Sequence, residues 1–220
     1  MIVLACGGAA VPARLASLPV VTAPALPAKP DFDALRPRLD EATETPRLVV
    51  VGDDGALAAM LTRLMRSERL HVELAYVAPT RTAATRLHGL AVGDRAAERA
   101  LRGSPVELPL IRDDVGTALV AEATVTGPEG GELVGEAYVD SVRLFSGTVR
   151  SLRIAPTHEQ PGLRATANRG WGLRPARWTP GRAIQLGSVG AVVTRDGVTT
   201  ARAVKRSSFY RDTRPWLLVR

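Results

Sequence analysis

A glycine-rich turn in the first half of the chain has the residue types and spacing best suited to chemistry. The apolar segment Leu48–Val51 leads into Gly52-Asp53-Asp54-Gly55-Ala56, and apolar residues then recur at helical spacing from Leu57. A strand, a tight glycine turn and a helix N-terminus can cradle phosphate, because backbone N–H groups point outward and glycine permits close approach. An aspartate at this position is also a good helix N-cap, so the turn could simply start a helix.

A Gly/Pro-rich segment, Arg169–Arg182, holds the second unusual combination of side chains. Indole rings sit at the level of lipid headgroups and arginine pairs with phosphate, so the segment predicts contact with an anionic lipid surface. The same side chains could clamp single-stranded nucleic acid, or the rings could cover the end of a β-domain with arginines stacked on them. The side chains concerned are Arg169, Trp171, Arg174, Arg177, Trp178 and Arg182.

Charge is distributed unevenly along the chain. The segment Arg143–Arg220 holds 15 of the 29 basic residues and only 3 of the 22 acidic ones, whereas Met1–Val142 carries a net negative charge. A basic half predicts an anionic partner such as phosphate, nucleic acid or a lipid surface. The alternative is that the arginines are scattered over an ordinary solvated surface.

The composition excludes collagen-like, coiled-coil and disulfide-rich proteins. Hydrophobic residues make up 45% and charged residues 23% of the chain, as in a folded globular protein. The single cysteine, Cys6, excludes an internal disulfide, and His71, His88 and His158 are too far apart to suggest a metal site. No segment approaches the roughly 20 apolar residues of a membrane span. We therefore expect a cytoplasmic protein, peripheral at the membrane if the basic half meets lipid.

The elements that must position the glycine turn alternate between strands and helices. A helix is predicted over Asp31–Ala42, a second carries the apolar residues from Leu57 to Met65, and a third covers Ala83–Leu90 or Arg95–Leu101. This alternation predicts a parallel sheet covered by helices. The predicted strands are Ile2–Ala5, Pro19–Thr22, Arg47–Val51 and Glu73–Val77.

Beyond residue 105 the pattern becomes one of short β-branched segments separated by turns. Such a pattern predicts an antiparallel β-sandwich or barrel, with hairpin turns at Pro128–Gly131 and Asp196-Gly197. We therefore predict an α/β domain over residues 1–105 and a basic β-sandwich domain over residues 106–220. The predicted strands are Thr117–Thr126, Glu132–Val139, Ser141–Phe145, Thr148–Ile154, Leu163–Ala167, Ala183–Leu186 and Ala191–Thr194.

The turn at Gly52–Ala56 resembles the Gly-Gly-Asp-Gly-Thr turn of diacylglycerol kinases, sphingoid-lipid kinases and NAD kinases. The segments Ser207-Ser208-Phe209-Tyr210-Arg211 and Trp216–Arg220 resemble the closing segment of bacterial members, and Asp196-Gly197 has a place similar to their late Asp-Gly-Glu. That family has an α/β nucleotide domain followed by a β-sandwich domain. The resemblance therefore implies the same domain order here, in a short and divergent member.

The resemblance also implies a reaction and a set of site residues. ATP and Mg²⁺ would be the cofactors, and the γ-phosphoryl group would pass to a lipid hydroxyl. Asp54 would be the catalytic residue, acting on the metal or on the acceptor proton. The nucleotide would be bound by Gly52, Asp53, Gly55, Ala56 and Thr82.

The chain departs from the family's motifs where they matter most. Asp53 replaces a glycine and adds negative charge beside the expected phosphates, and Ala56 replaces a threonine hydroxyl. Ala84 and Thr85 stand where the family's second motif has Asn and Asp, and Val198 replaces the glutamate of the third. These departures predict a degraded nucleotide site. They leave open a lipid kinase, a non-catalytic lipid- or phosphate-binding regulatory protein on the same scaffold, and a nucleic-acid-binding protein.

Overall fold

The chain forms two compact units. The structure is a computed structural model that describes residues 1–41, 45–170 and 176–220. Unit 1 comprises Met1–Leu108 together with Arg214–Arg220, and unit 2 comprises Pro109–Thr213. The observed division differs from the predicted boundary at residues 105/106 mainly at the end of the chain, because the last strand returns to the sheet of unit 1.

Unit 1 contains a parallel sheet in the order β2-β1-β3-β4, with Leu217 and Leu218 of the last strand pairing beside β4, also in parallel. Its inner strands are buried along nearly their whole length, as strands covered by helices on both faces must be. The strands are β1 (Ile2–Cys6), β2 (Val20–Ala23), β3 (Arg47–Val51) and β4 (Glu73–Val77). The helices are α1 (Lys29–Asp40), α2 (Asp54–Arg66), α3 (Ala83–Leu87) and α4 (Gly93–Arg102).

The remaining strands belong mainly to unit 2 and are antiparallel, apart from the last residues of β15. They are β5 (Pro105–Asp113), β6 (Ala118–Leu119), β7 (Ala123–Thr126), β8 (Leu133–Val139), β9 (Val142–Val149), β10 (Ser151–Pro156), β11 (Leu163–Asn168), β12 (Thr179–Gly181), β13 (Ala183–Arg195), β14 (Val198–Thr199) and β15 (Val204–Val219). Short 3₁₀ turns lie at Ala13–Leu15 in unit 1 and Pro128–Gly130 in unit 2.

The long strand β13 takes part in both sheet regions of unit 2. Residues 183–188 pair with β8 and residues 192–195 pair with β7, and the register shifts between Gly187 and Ala191. A bulge of this kind lets one strand pass from one sheet to another around a shared core. That core includes Leu152, Ile154, Ile184, Leu186, Val193 and Phe209, all buried.

The predicted fold class, a parallel α/β part followed by an antiparallel β part, is confirmed. The parallel strands Arg47–Val51 and Glu73–Val77 have the predicted bounds, and both α3 and α4 form where one helix was predicted. The Asp196-Gly197 hairpin joins β13 to β14, with positive φ at both residues.

Other details of the β part differ from the prediction. Pro128–Gly131 is not a hairpin turn, because β7 and β8 each pair with β13 and not with each other. The two strands predicted within Ala183–Thr194 form one strand, because the bulge continues the pairing. The break after Phe145 was also predicted wrongly, since β9 continues to Val149. Strands β5, β12, β14 and β15 were not among the predicted strands.

No helix in the described ranges is long and apolar enough to cross a membrane.

Candidate functional site

Gly52 follows β3 directly, at the carboxyl edge of the parallel sheet. A Cβ atom at this position would lie 3.1 Å from the Cβ of Cys6 and 3.3 Å from that of Ala56. The φ of Gly52 is not positive. Close packing against its own neighbours is therefore sufficient reason for a glycine here, with no ligand required.

Asp53 is the N-cap of α2. Its backbone is extended, with φ −99° and ψ 179°, and its Oδ1 accepts a hydrogen bond of 2.9 Å from the backbone N–H of Ala56. This is the ordinary extended backbone of an N-cap residue, so the aspartate is accommodated at this position without a positive φ. The N–H of Ala56, one of the donors expected to face phosphate, is already bonded within the turn.

Asp54, the predicted catalytic residue, is buried with 8% of its surface exposed. Its Oδ1 accepts a hydrogen bond of 2.9 Å from the hydroxyl of Tyr76, and its Oδ2 accepts one of 3.0 Å from the backbone N–H of Ala84. Burial, together with the negative charge of Asp54, raises the pKa of Tyr76, so that its hydroxyl stays protonated and donates. The carboxylate thus joins α2 to β4 and α3.

Thr82, predicted to contact the nucleotide, is the N-cap of α3. Its hydroxyl accepts a hydrogen bond of 3.1 Å from the backbone N–H of Thr85, and the hydroxyl of Thr85 accepts one of 2.8 Å from the N–H of Thr82. These reciprocal bonds form a capping box. Thr85, which stands where the family's second motif has Asp, therefore helps to stabilise the start of a helix.

The strand order of unit 1 places the topological switch point between β1 and β3. In open α/β sheets, ligands bind outside the carboxyl ends of strands at such a point. Gly7 and Gly8 follow β1 with positive φ, and a Cβ atom at Gly8 would have no neighbouring atom within 4 Å. Asp53 at the end of β3 is exposed and adds a negative charge to this edge.

Cys6, the last residue of β1, is buried. Desolvation is the largest cause that raises the pKa of its thiol to about 12, with the charges of Asp53 and Asp31 adding to it. The thiol is therefore protonated at neutral pH and is a poor nucleophile.

Asp196, the acid of the late Asp-Gly pair, also bonds within the protein. Its carboxylate accepts hydrogen bonds of 2.9, 2.8 and 3.1 Å from the backbone N–H groups of Val120, Ala121 and Glu122. These bonds divide the predicted strand Thr117–Thr126 into β6 and β7, because that backbone bonds to a side chain instead of to a strand. Asp196 holds this connection in place.

The basic segment of unit 2 is only partly described, since Trp171 and Arg174 lie outside the described residues. Arg169, Arg177 and Trp178 line one cavity of unit 2. Arg182, the sixth predicted contact, is exposed and is not among the described residues that line it.

Sequence reasoning missed three arginines near Trp178, namely Arg143, Arg153 and Arg164. Arg143 and Arg153 line the same cavity. The guanidinium carbon of Arg153 lies 5.4 Å from the centre of the Trp178 ring, and that of Arg164 lies 4.7 Å from it. The alternation of Arg153 and Arg164 with apolar residues along their strands is the signal that could have placed them on a polar face.

Solved structures of other proteins are similar to this chain in fold. No protein-family model matches the chain, and no curated protein sequence matches it. A candidate diacylglycerol kinase from Bacillus anthracis strain Sterne superposes with a TM-score of 0.74 at 11% identity, over 99% of this chain and 96% of its own. An NAD kinase from Archaeoglobus fulgidus in complex with ATP has a TM-score of 0.58 at 14% identity, over 100% and 93%.

A yeast NADH kinase complexed with NADH also has a TM-score of 0.58, at 10% identity, over 100% of this chain and 83% of its own. The chain is thus similar in fold to diacylglycerol kinases and NAD kinases, which confirms the resemblance drawn from the glycine turn and the C-terminal segment. The superpositions cover both units, so the similarity to the kinase fold extends over the whole chain.

Proposed function

We propose that this chain, which has a kinase-like fold, binds a phosphate-bearing partner and does not transfer phosphoryl groups. The fold supports a phosphate-bearing ligand, since its NAD kinase neighbours were solved with ATP and NADH. The chemistry of the site argues against transfer. Of the three functions that the sequence leaves open, the non-catalytic binding protein on this scaffold agrees best with the side-chain contacts.

The observation that carries the proposal is the state of Asp54. A catalytic carboxylate must reach a metal ion or an acceptor hydroxyl. Both oxygens of Asp54 already accept hydrogen bonds, from Tyr76 and Ala84, and the side chain is buried. Moving it toward a ligand would leave two buried donors without a partner, which opposes the motion by about 1–3 kcal/mol for each donor.

The residues present at the turn do not fit a Mg²⁺–nucleotide pair. Magnesium in such sites requires carboxylates together with phosphate oxygens. Asp53 caps α2, and both oxygens of Asp54 are bonded internally. We therefore derive no reaction step through ATP or Mg²⁺ for this chain.

The excess of positive charge in the second half of the chain supports an anionic partner. Arg143–Arg220 has a large excess of arginine over acidic residues. A soluble phosphate ester and an anionic lipid headgroup present the same chemistry to arginine, namely phosphate oxygens that pair with a guanidinium group. Single-stranded nucleic acid is the competing partner class.

A phosphoryl-transfer assay tests the proposal. Purified protein is incubated with labelled ATP, Mg²⁺ and in turn diacylglycerol, sphingosine and NAD, with an active diacylglycerol kinase as positive control. We expect no product above the blank without protein. Turnover by this chain that disappears in Asp54→Asn would overturn the proposal and identify an enzyme.

A second measurement shows whether the turn itself limits the chemistry. The variant Asp53→Gly with Ala56→Thr restores the family's residues at the turn. Because both Asp54 oxygens stay bonded in this variant, we expect the assay to remain at the blank level. Activity gained in this variant would show that the turn, and not the bonding of Asp54, is what prevents transfer.

A further inference from the structure

We propose that a cavity in unit 2, on the polar face of β10 and β11, binds a small ligand with two or more phosphate groups. This inference deepens the proposed function and rests on it, because it names where the phosphate-bearing partner binds. The cavity lies among residues of unit 2 alone and uses none of the residues of the glycine turn.

The cavity has a volume of about 930 Å³, which suits a small organic molecule. None of the described residues that line it is acidic. A cavity of this volume can accommodate a compact ligand. The side chains that matter are Arg143, Leu144, Arg153, Arg169, Arg177 and Trp178.

The strand register explains why arginines gather on this face. Leu152, Ile154 and Leu163 belong to the buried core of unit 2. Arg153 and Arg164 alternate with these core residues, so they lie on the opposite face of the sheet. Arg153 pairs with Thr166, and Arg164 is two residues before Thr166, on the same face. Two guanidinium groups on neighbouring strands therefore share one side of the sheet.

Trp178 holds these two guanidinium groups close to its ring. The distances of 5.4 Å for Arg153 and 4.7 Å for Arg164 are those of cation–π contacts. Arg153 also pairs with Glu122, which offsets its charge. The Nε of Arg164 is buried and has no hydrogen-bond partner among the described residues. Trp178 therefore fixes Arg153 and Arg164 on this face, and its ring is already occupied by cations instead of being open to a base.

The charges that remain available come from the other three arginines of the cavity. Arg143 and Arg177 are exposed, and no ion pair or hydrogen bond joins either side chain to another described residue. Arg169 donates from Nη2 to the carbonyl oxygen of Leu144 at 3.1 Å, which fixes its side chain without neutralising it. Arginine pairs with phosphate through two parallel hydrogen bonds. Three uncompensated guanidinium groups, one on β9 and two in the segment Arg169–Arg182, match a ligand with more than one phosphate.

Tripolyphosphate, which has no base, sugar or acyl chain, is the probe that tests the site. Its binding to the full chain is measured by calorimetry at low and at about 150 mM salt, where screening extends over about 8 Å. We expect saturable binding that is weakened at least tenfold in Arg143→Ser with Arg177→Ser. The matched control, Arg202→Ser with Arg206→Ser, removes the same charge from exposed positions outside the cavity and is expected to change the affinity less than threefold.

Equal weakening by both double variants would show attraction to overall charge only and would overturn the proposal, as would the absence of binding by the unaltered chain. A circular dichroism melt of each variant establishes that it is folded.

Vesicle sedimentation identifies the source of the phosphate. Binding to vesicles that contain phosphatidylinositol bisphosphate, whose headgroup has more than one phosphate, reversed by tripolyphosphate and lost in Arg143→Ser with Arg177→Ser, assigns a lipid headgroup. Tripolyphosphate binding without vesicle binding assigns a free phosphate ester. Binding to a single-stranded oligonucleotide but not to tripolyphosphate overturns the site in favour of nucleic acid. Each of these results is distinct from the transfer assay, since phosphoryl transfer would overturn the proposed function whatever tripolyphosphate does.

Discussion

Two adjacent acids, Asp53 and Asp54, show how chemically similar side chains serve different structural purposes. Asp53 is exposed and bonds three residues ahead in its own turn, whereas Asp54 is buried and bonds to residues far along the chain. The difference follows from the helix start, which directs successive side chains to different sides of the turn. Only Asp54 is placed to join separate elements, and its loss is therefore expected to cost more stability.

Asp54→Ala is expected to lower the free energy of unfolding by about 3 kcal/mol, because it leaves the Tyr76 hydroxyl and the Ala84 N–H buried without partners. Tyr76→Phe is expected to cost about 1 kcal/mol. Urea denaturation of Asp54→Ala, Tyr76→Phe and the variant with both changes gives the interaction free energy between Asp54 and Tyr76. A stability unchanged by Asp54→Ala would show that the carboxylate is not bonded as described and is available to a ligand.

Among the elements, helix α2 combines an apolar face with a well-defined start. Its buried positions include Leu57, Met60, Leu61 and Leu64, at the spacing predicted from the sequence. The N-cap fixes where the helix begins and hence where Asp54 lies. The cap and the core face thus reinforce each other in setting the geometry of the turn.

Substitution of the cap tests this account of α2. Asp53→Ala is expected to destabilise the protein by about 1 kcal/mol. Asp53→Gly is expected to cost only a few tenths of a kcal/mol. Asp53→Asn retains the side-chain acceptor without the charge and should lie close to the unaltered chain. Thermal or urea unfolding measures all three. If Asp53→Asn were as damaging as Asp53→Ala, charge and not capping would be the contribution of Asp53.

Across the whole chain, the last residues complete the sheet of the unit in which the chain began. Leu217 and Leu218 pair with Glu73 and Leu74 of β4, and Leu218 is fully buried. Arg47 adds a second link within unit 1. Its Nε donates a hydrogen bond of 2.6 Å to Oε2 of Glu73, and its Nη1 donates one of 2.7 Å to the carbonyl oxygen of Ala100. The stability of unit 1 therefore depends on residues that the chain reaches last.

Leu218→Ala is expected to destabilise unit 1 by about 2–5 kcal/mol, because it opens a cavity in a packed sheet. Hydrogen exchange should accelerate more in β4 than in β10, which lies in unit 2. Val198→Ala, at an exposed position, serves as the control and is expected to change stability by less than about 0.5 kcal/mol. Equal acceleration in both strands would show that the two units unfold together.

Local sequence patterns were enough to predict the fold class, the start of α3, two parallel strands and one hairpin turn. Continuous apolar runs predicted β3 and β4 with their observed bounds, and Asp196-Gly197 predicted its hairpin, because these signals lie within a few neighbouring residues. The alternative of an Asp-capped helix start at the glycine turn was equally visible in the sequence.

The contacts of the acids and arginines, in contrast, follow from the folded chain alone. The partners of Asp54 are 22 and 30 residues away, and the donors to Asp196 are 74 to 76 residues away, so no local pattern could reveal them. The gathering of Arg153 and Arg164 around Trp178 likewise depends on the register between β10 and β11. Strand pairing sets which distant side chains meet, and that pairing is specified only through the packing of the whole core.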